Sequence, residues 1–247
     1  MMQDSFQYSI SASLPPHSDS PASLGARFLD TLDALGRIDP SIFDDWQIMD
    51  LPAVESFALG EARPRIAAII GNNVKRDDAD EPDPHRGYTA IAFTGEGRGP
   101  RTMGFDVTAG GIEDGSALLR TGGYKVSPDP AMLTYSLFKN ALLTINAFWS
   151  PAWACAHVFK MHYDKAPLTA GTPLFPYSRF HIPWIAYLSA SLASGLQLPA
   201  DIPSERTPDG GLLMTATEER LDPTNPEHLR RARILAETMI ARAGGGS

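Results

Sequence analysis

Trp184-Ile-Ala-Tyr-Leu188 and Leu212-Leu-Met-Thr-Ala-Thr217, with Thr207-Pro-Asp-Gly-Gly211 between them, decide how this chain folds. The first run is apolar throughout and reads as a buried strand, although Ile185, Leu188 and Leu192 also fit one face of a helix. The middle stretch is turn chemistry, with two glycines free to take positive φ. The third run alternates, Leu212, Met214 and Ala216 against Leu213, Thr215 and Thr217, which is the period of a strand. Glu218, Glu219 and Arg220 end it in charge. A helix then starts at Pro226. Asn225 is placed to cap its unpaired N–H groups, and proline occupies the position whose missing donor costs nothing. Leu229, Ala232, Ala236 and Ile240 form its apolar stripe, while Arg230, Arg231 and Glu237 lie off it. Gly244 to Gly246 stop it, and the Gly/Ser tail at 244–247 takes no part in the fold reading.

Phe6, Tyr8 and Ile10 alternate with polar residues and predict a first strand ending at Pro15-Pro16. Ser20-Pro21 opens a helix with Leu24, Phe28, Leu32 and Leu35 on one face and Gly36 as a stop. Trp46-Gln-Ile-Met49 reads as a short strand, and a helix from about Pro64 turns Ile66, Ile69 and Ile70 inward. Tyr88 to Thr94 and Arg101 to Ala109 form a strand pair joined through Gly95-Glu-Gly-Arg-Gly-Pro100. Weaker strands are expected over Leu118 to Arg120 and Tyr124 to Val126. Asp129-Pro130 opens the most apolar helix, with Leu133, Leu137, Ala141, Ile145 and Phe148 in line and Phe138, Leu142 and Trp149 widening the stripe. Ala154 to Tyr163 alternates again as a strand. Without a regular βαβ rhythm, these elements predict an α+β fold, a mostly antiparallel sheet of about six strands packed with about four helices. No linker divides the chain, so one domain is expected over 1–243.

Composition narrows the function classes. The formal net charge of −8 over 247 residues argues against a sequence-independent nucleic-acid binder, whose partner is a polyanion. It suits solubility, or a basic partner. Cys155 is the single cysteine, so no intrachain disulfide forms. Met1 to Tyr8 lacks the basic start and apolar run of a signal peptide, and no stretch is long enough to cross a membrane. A cytoplasmic setting is the expectation.

Candidate chemistry is sparse. Gly95-x-Gly-x-Gly99 is followed by Pro100 and a strand, whereas a phosphate cradle needs a helix N-terminus next, so a hairpin turn is the plainer reading. Cys155 and His157 fall on one strand face, as a thiol nucleophile and its base would, but Phe159 and Met161 share that face and favour core. His157, His162 and Asp164 invite a metal reading that their spacing opposes, because the two imidazoles point to opposite faces of a strand. Glu218 and Glu219, with Asp209 and Asp222, fit acid–base chemistry only if they face one another across a cleft; a solvated strand end is plainer. The expectation is no catalytic residue, no metal and no cofactor. The remaining candidate is an acidic run, Asp77, Asp78, Asp80, Glu81 and Asp83, with Pro82 and Pro84 interrupting it as a loop. Its plainer reading is a solvated turn; its sharper reading is recognition of a basic surface. Arg179, Phe180 and Trp153 are candidate interface anchors that composition alone does not separate from core.

The motifs also carry a resemblance. Trp184-x-x-Tyr-Leu188, Gly210-Gly-Leu-Leu213 leading to Thr217-x-Glu219, and Leu221-Asp-Pro-x-Asn-Pro-x-His228 resemble the C-terminal half of the immunity protein 52 family. More loosely, the Phe28 to Leu35 helix, Asp45-Trp-Gln-Ile-Met49, and Arg65-Ile-Ala-Ala-Ile69 with Asn72-Asn73 extend it into the N-terminal half. The resemblance implies a non-enzymatic immunity protein that binds a cognate secreted toxin of bacterial competition, notably a restriction-endonuclease-like nuclease. On that reading the acidic run would face the basic surface with which a nuclease holds DNA. The alternatives are a small enzyme using the Cys155/His157 neighbourhood and an accessory component of a secretion apparatus.

Overall fold

Ten antiparallel strands form one sheet in the computed structural model, which describes residues 6–122, 126–160 and 181–243. They are β1 Phe6–Leu14, β2 Trp46–Asp50, β3 Glu55–Ala58, β4 Tyr88–Thr94, β5 Met103–Ala109, β6 Gly115–Thr121, β7 Trp153–Lys160, β8 His181–Leu188, β9 Ser204–Arg206 and β10 Leu212–Thr215. Their spatial order is β3-β2-β4-β5-β6-β1-β7-β8-β10-β9. The first strand in sequence lies in the middle, paired with β6 at Ile10↔Leu119 and with β7 at Ile10↔Ala156. It joins the N-terminal half of the sheet to the C-terminal half. Tyr8 reinforces the join: its buried hydroxyl donates to the Leu221 carbonyl at 2.9 Å, and its ring packs edge-on against Trp184.

The α+β class holds, but the expected sheet of about six strands is too small. The additions are mainly at the margins: β3 has four residues and β9 three, with Glu55, Ser56 and all of β9 exposed. Neither shows a clear apolar alternation, and each is paired through its backbone to one neighbour. The four expected helices are α1 Pro21–Ile38, α4 Ile66–Asn72, α5 Tyr135–Trp149 and α7 Pro226–Ala243; α2 Pro40–Phe43, α3 Leu59–Ala62 and α6 Ala190–Ala193 are single turns in addition.

Local chemistry explains the boundaries. The Ser20 side chain accepts from Ser23 N–H at 3.2 Å and starts α1. Gly36 does not stop that helix, which runs on until Asp39, whose carboxylate caps the next turn. Asp129-Pro130 opens a 3₁₀ turn, not the helix itself; α5 begins two residues after that turn, at a Thr134 cap. Asn225 caps α7 through Glu227 N–H at 2.9 Å. Its buried face is His228, Ala232, Leu235, Ala236 and Met239, rotated from the expected stripe so that Leu229 and Ile240 lie at its edge. The Tyr124 to Val126 strand lies largely outside the described residues.

Two patterns of burial divide the sheet. In β2, β4, β5 and β6 buried and part-exposed residues alternate, with Ile48, Ala90, Ala92, Phe105, Val107 and Leu119 turned to the core. Phe28 of α1 stacks on Phe105 at 5.5 Å, and α1 in turn packs on α4 and α5. Trp149 Nε1 donates to Thr31 at 3.0 Å and closes α5 onto α1. By contrast, β8 is buried from Ile182 to Leu188, and its pairing with β7 and β10 excludes the helical alternative at Trp184. The alternation in Leu212 to Thr217 marks two faces that are both covered, since all six residues are buried. α7 packs on both β8 and β10.

Candidate functional site

The acidic run sits on an extension of β4. Val74 bridges Tyr88 and Arg76 bridges Pro82, so 74–76 and 82–88 run as an irregular ladder that turns at 77–81. Asp77 N–H donates to the Glu81 carbonyl at 2.9 Å, and Asp80 takes the turn at φ 64. The five carboxylates do different work. Asp77 accepts from Ala79 and Glu81 N–H, both at 2.9 Å, and Asp83 accepts from His85 N–H at 2.9 Å. Those two shape the loop. Asp78 and Asp80 stand in solvent, their side chains 92% and 88% exposed, and Glu81 is exposed with them.

Cations thread the same loop, which charge counting along 77–83 overlooks. Arg86 pairs with Asp78 at 2.9 Å and lies 3.9 Å from Asp83; Arg76 pairs with Asp80 at 3.8 Å. The hydrogen bond to Asp78 holds the Arg86 guanidinium above its ordinary range. The loop is therefore an ordered acidic ridge with internal counter-ions. Neighbouring backbone fixes it in place: Ile112 N–H donates to the His85 carbonyl at 2.9 Å. A Cβ at Gly111 would lie 2.6 Å from that carbonyl, so only glycine allows the approach.

Behind the ridge, Asn73 is buried and clamps the β2–β3 hairpin. Its Oδ1 accepts from Leu51 N–H at 2.7 Å and its Nδ2 donates to the Met49 carbonyl at 3.0 Å. Asn72 Nδ2 adds a bond to Asp50 at 3.0 Å. This role for the Asn72-Asn73 pair was invisible in the sequence, where nothing linked it to a hairpin more than twenty residues earlier.

The other candidates separate. Cys155 and His157 are buried in β7 beside a bulge in its pairing with β8. The thiol donates to the Ala156 carbonyl at 3.3 Å, and the imidazole Nδ1 lies 3.3 Å from the Cys155 carbonyl. Burial pushes the thiol up, and burial, then the adjacent His181, pushes the His157 imidazole down to about 3. Both groups are thus held neutral, which is unlike the thiolate of a nucleophilic pair. A cleft of about 360 Å³ opens between β1, α1 and the 110–114 turn, and neither residue lines it. Trp153 is 9% exposed and packs in the core. His162, Asp164, Arg179 and Phe180 lie outside the described residues. Among those described, no three of His, Cys, Asp and Glu are gathered for a metal ion.

The carboxylates at 209–222 are pulled apart. Asp209 precedes β10 and accepts from Tyr187 and Thr207, whereas Glu218, Glu219 and Asp222 follow it at the opposite end. They do not face one another across any cleft. The three glycines at Gly95, Gly97 and Gly99 take positive φ in a hairpin connection between β4 and β5, as a turn requires.

A sheet with a pinned acidic ridge and a buried, neutral Cys–His pair is the frame in which similarity to known proteins has meaning. The sequence model described as immunity protein 52 matches residues 8–245. The chain belongs to the immunity protein 52 family. In this family member the match spans every described strand but the first residues of β1. The solved structure described as Pseudomonas aeruginosa T6SS protein PA0821 shares its fold, with a TM-score of 0.58 at 13% identity, covering 96% of this chain and 73% of that one. No curated protein matches the chain.

Proposed function

We propose that this chain is a non-enzymatic immunity protein of the cytoplasm that binds and neutralises one cognate toxin, a nuclease effector delivered by a type VI secretion system. The observation that carries the reading is the family match across 8–245. The likeness to a T6SS protein supports the delivery route, and the acidic ridge supports a basic, nucleic-acid-gripping target. An exposed carboxylate ridge attracts such a surface over roughly a Debye length, about 8 Å at physiological salt, and masks it from DNA.

The test is co-expression with the toxin domain encoded beside this gene. The protein should restore growth, co-purify with that domain and keep plasmid DNA intact. Growth restored while DNA is untouched by the toxin alone would remove the nuclease assignment and leave the immunity role. No protection and no complex would remove both.

A further inference from the structure

Three large apolar side chains stand in solvent among the described residues: Leu51 at 38%, Val54 at 82% and Ile112 at 70% exposure. The sheet brings them to one end. Asp50↔Glu55 closes the β2–β3 hairpin over 51–54, and Ile48↔Ala92 aligns that tip with the Tyr88 end of β4. Tyr88↔Ala109 and Thr108↔Ser116 carry the same end across to the β5–β6 turn that holds Ile112. The acidic ridge rises between the two tips, from the Val74↔Tyr88 bridge. Three strand spacings separate the hairpin tips, about 14 Å, well inside the footprint of a single protein partner.

Nothing among the described residues rewards that arrangement. Val54 is β-branched and sits at φ 55, where asparagine or glycine would rest more easily, yet its side chain touches solvent. The tip that carries it is rigid, because Asn73 holds Leu51 N–H and the Met49 carbonyl from behind. Residues 51–55, 73–87 and 110–114 together carry eight carboxylates against Lys75, Arg76 and Arg86. Exposed apolar tips inside an acidic field fit one kind of occupant: a protein face that is basic and has apolar hollows.

We propose that the cognate toxin seats on this end of the sheet, with Leu51, Val54 and Ile112 as its apolar contacts and the exposed carboxylates as its rim. The inference rests on the toxin-binding reading above and names the surface that performs it. The apolar tips lose water only in the complex and so govern dissociation, while the rim governs encounter.

The experiment compares three proteins against the neighbouring toxin domain by biosensor kinetics: wild type, Leu51→Ser/Val54→Asn/Ile112→Ser, and a control at the far end of the sheet, Glu96→Gln/Glu218→Gln/Glu219→Gln. Asparagine accommodates the Val54 backbone, so the triple variant should melt at or above the wild-type temperature. It should dissociate about 100-fold faster or more, with the control unchanged, and hydrogen exchange in the wild-type complex should slow at 51–54 and 110–114. Tight wild-type binding that the triple variant retains would overturn the surface and leave the immunity role standing. A dimer in solution that the triple variant abolishes would assign the face to a second copy and overturn the proposal. A wild-type protein that binds no toxin would sink the proposal together with the reading beneath it.

Discussion

Cys155 is a core residue whose chemistry is switched off by its surroundings. Its thiol is fully buried and pushed up by desolvation, so replacing it removes packing alone. Cys155→Ala should cost about 1 kcal/mol in denaturant unfolding and leave protection intact. Rapid thiol labelling of the folded protein would contradict this placement. His157 gives a sharper test because its shift has a sign. Its folded-state value, about 3, lies below the ordinary 6.5, so below pH 6.5 the unfolded chain takes up a proton that the folded chain refuses. The unfolding free energy should therefore fall as pH drops from about 6.5 towards 3, by on the order of 2 kcal/mol at pH 5. His157→Gln should flatten that slope even if its absolute stability is lower. Burial shifts His181 in the same direction, so part of the slope should survive in the single variant. A pH profile of unfolding that is unaltered by His157→Gln would show that the imidazole titrates normally.

At the scale of elements, α5 ties the two halves of the core together. Leu137 is 6% exposed, Phe138 packs against Tyr8 and Trp184, and Trp149 bonds to α1. Leu137→Ala should destabilise the protein by about 2–5 kcal/mol, read as a shift in the denaturant midpoint. A midpoint equal to wild type would make the helix peripheral. The stripe of this helix was legible in the sequence because seven of its residues face the core at helical spacing. Its start was not. Asp129-Pro130 and Thr134 both carry capping chemistry; the first caps a 3₁₀ turn whose Met132 is buried, and the second caps the helix. The edge strands were illegible for a related reason: β3 and β9 exist through backbone bonds to β2 and β10, which side-chain pattern does not encode.

For the whole molecule, most of the net charge of −8 lies where the ridge and the hairpin tips converge, eight carboxylates against three cations. Asp77 and Asp83 shape that ridge, so the carboxylates turned to solvent are Asp78, Asp80 and Glu81, the first two with Arg86 and Arg76 beside them. Asp78→Asn, Asp80→Asn and Glu81→Gln together should slow association with the toxin domain about tenfold at low salt and weaken its salt dependence. Dissociation should change little, since hydrated rim charges steer encounter more than they hold a complex. Stopped-flow mixing at two ionic strengths measures both. Unchanged association would reduce the ridge to a solvated turn, and dissociation faster by orders of magnitude would make its carboxylates buried contacts.

The sequence by itself determined the class of fold, the inward faces of α1 and α5 and most of the strands, because periodicity and capping are local and each element's apolar face is written at its own spacing; the family came from motif resemblance instead. It also marked the acidic run. Only the tertiary structure decided which carboxylates are paired, since Arg86 reaches Asp78 and Asp83 through a loop geometry that no pattern in the sequence states. It alone carried Leu51, Val54 and Ile112 to the same end of the sheet. That convergence depends on antiparallel register and on strand order β3-β2-β4-β5-β6, and both are properties of long-range pairing, which a chain read in order does not contain.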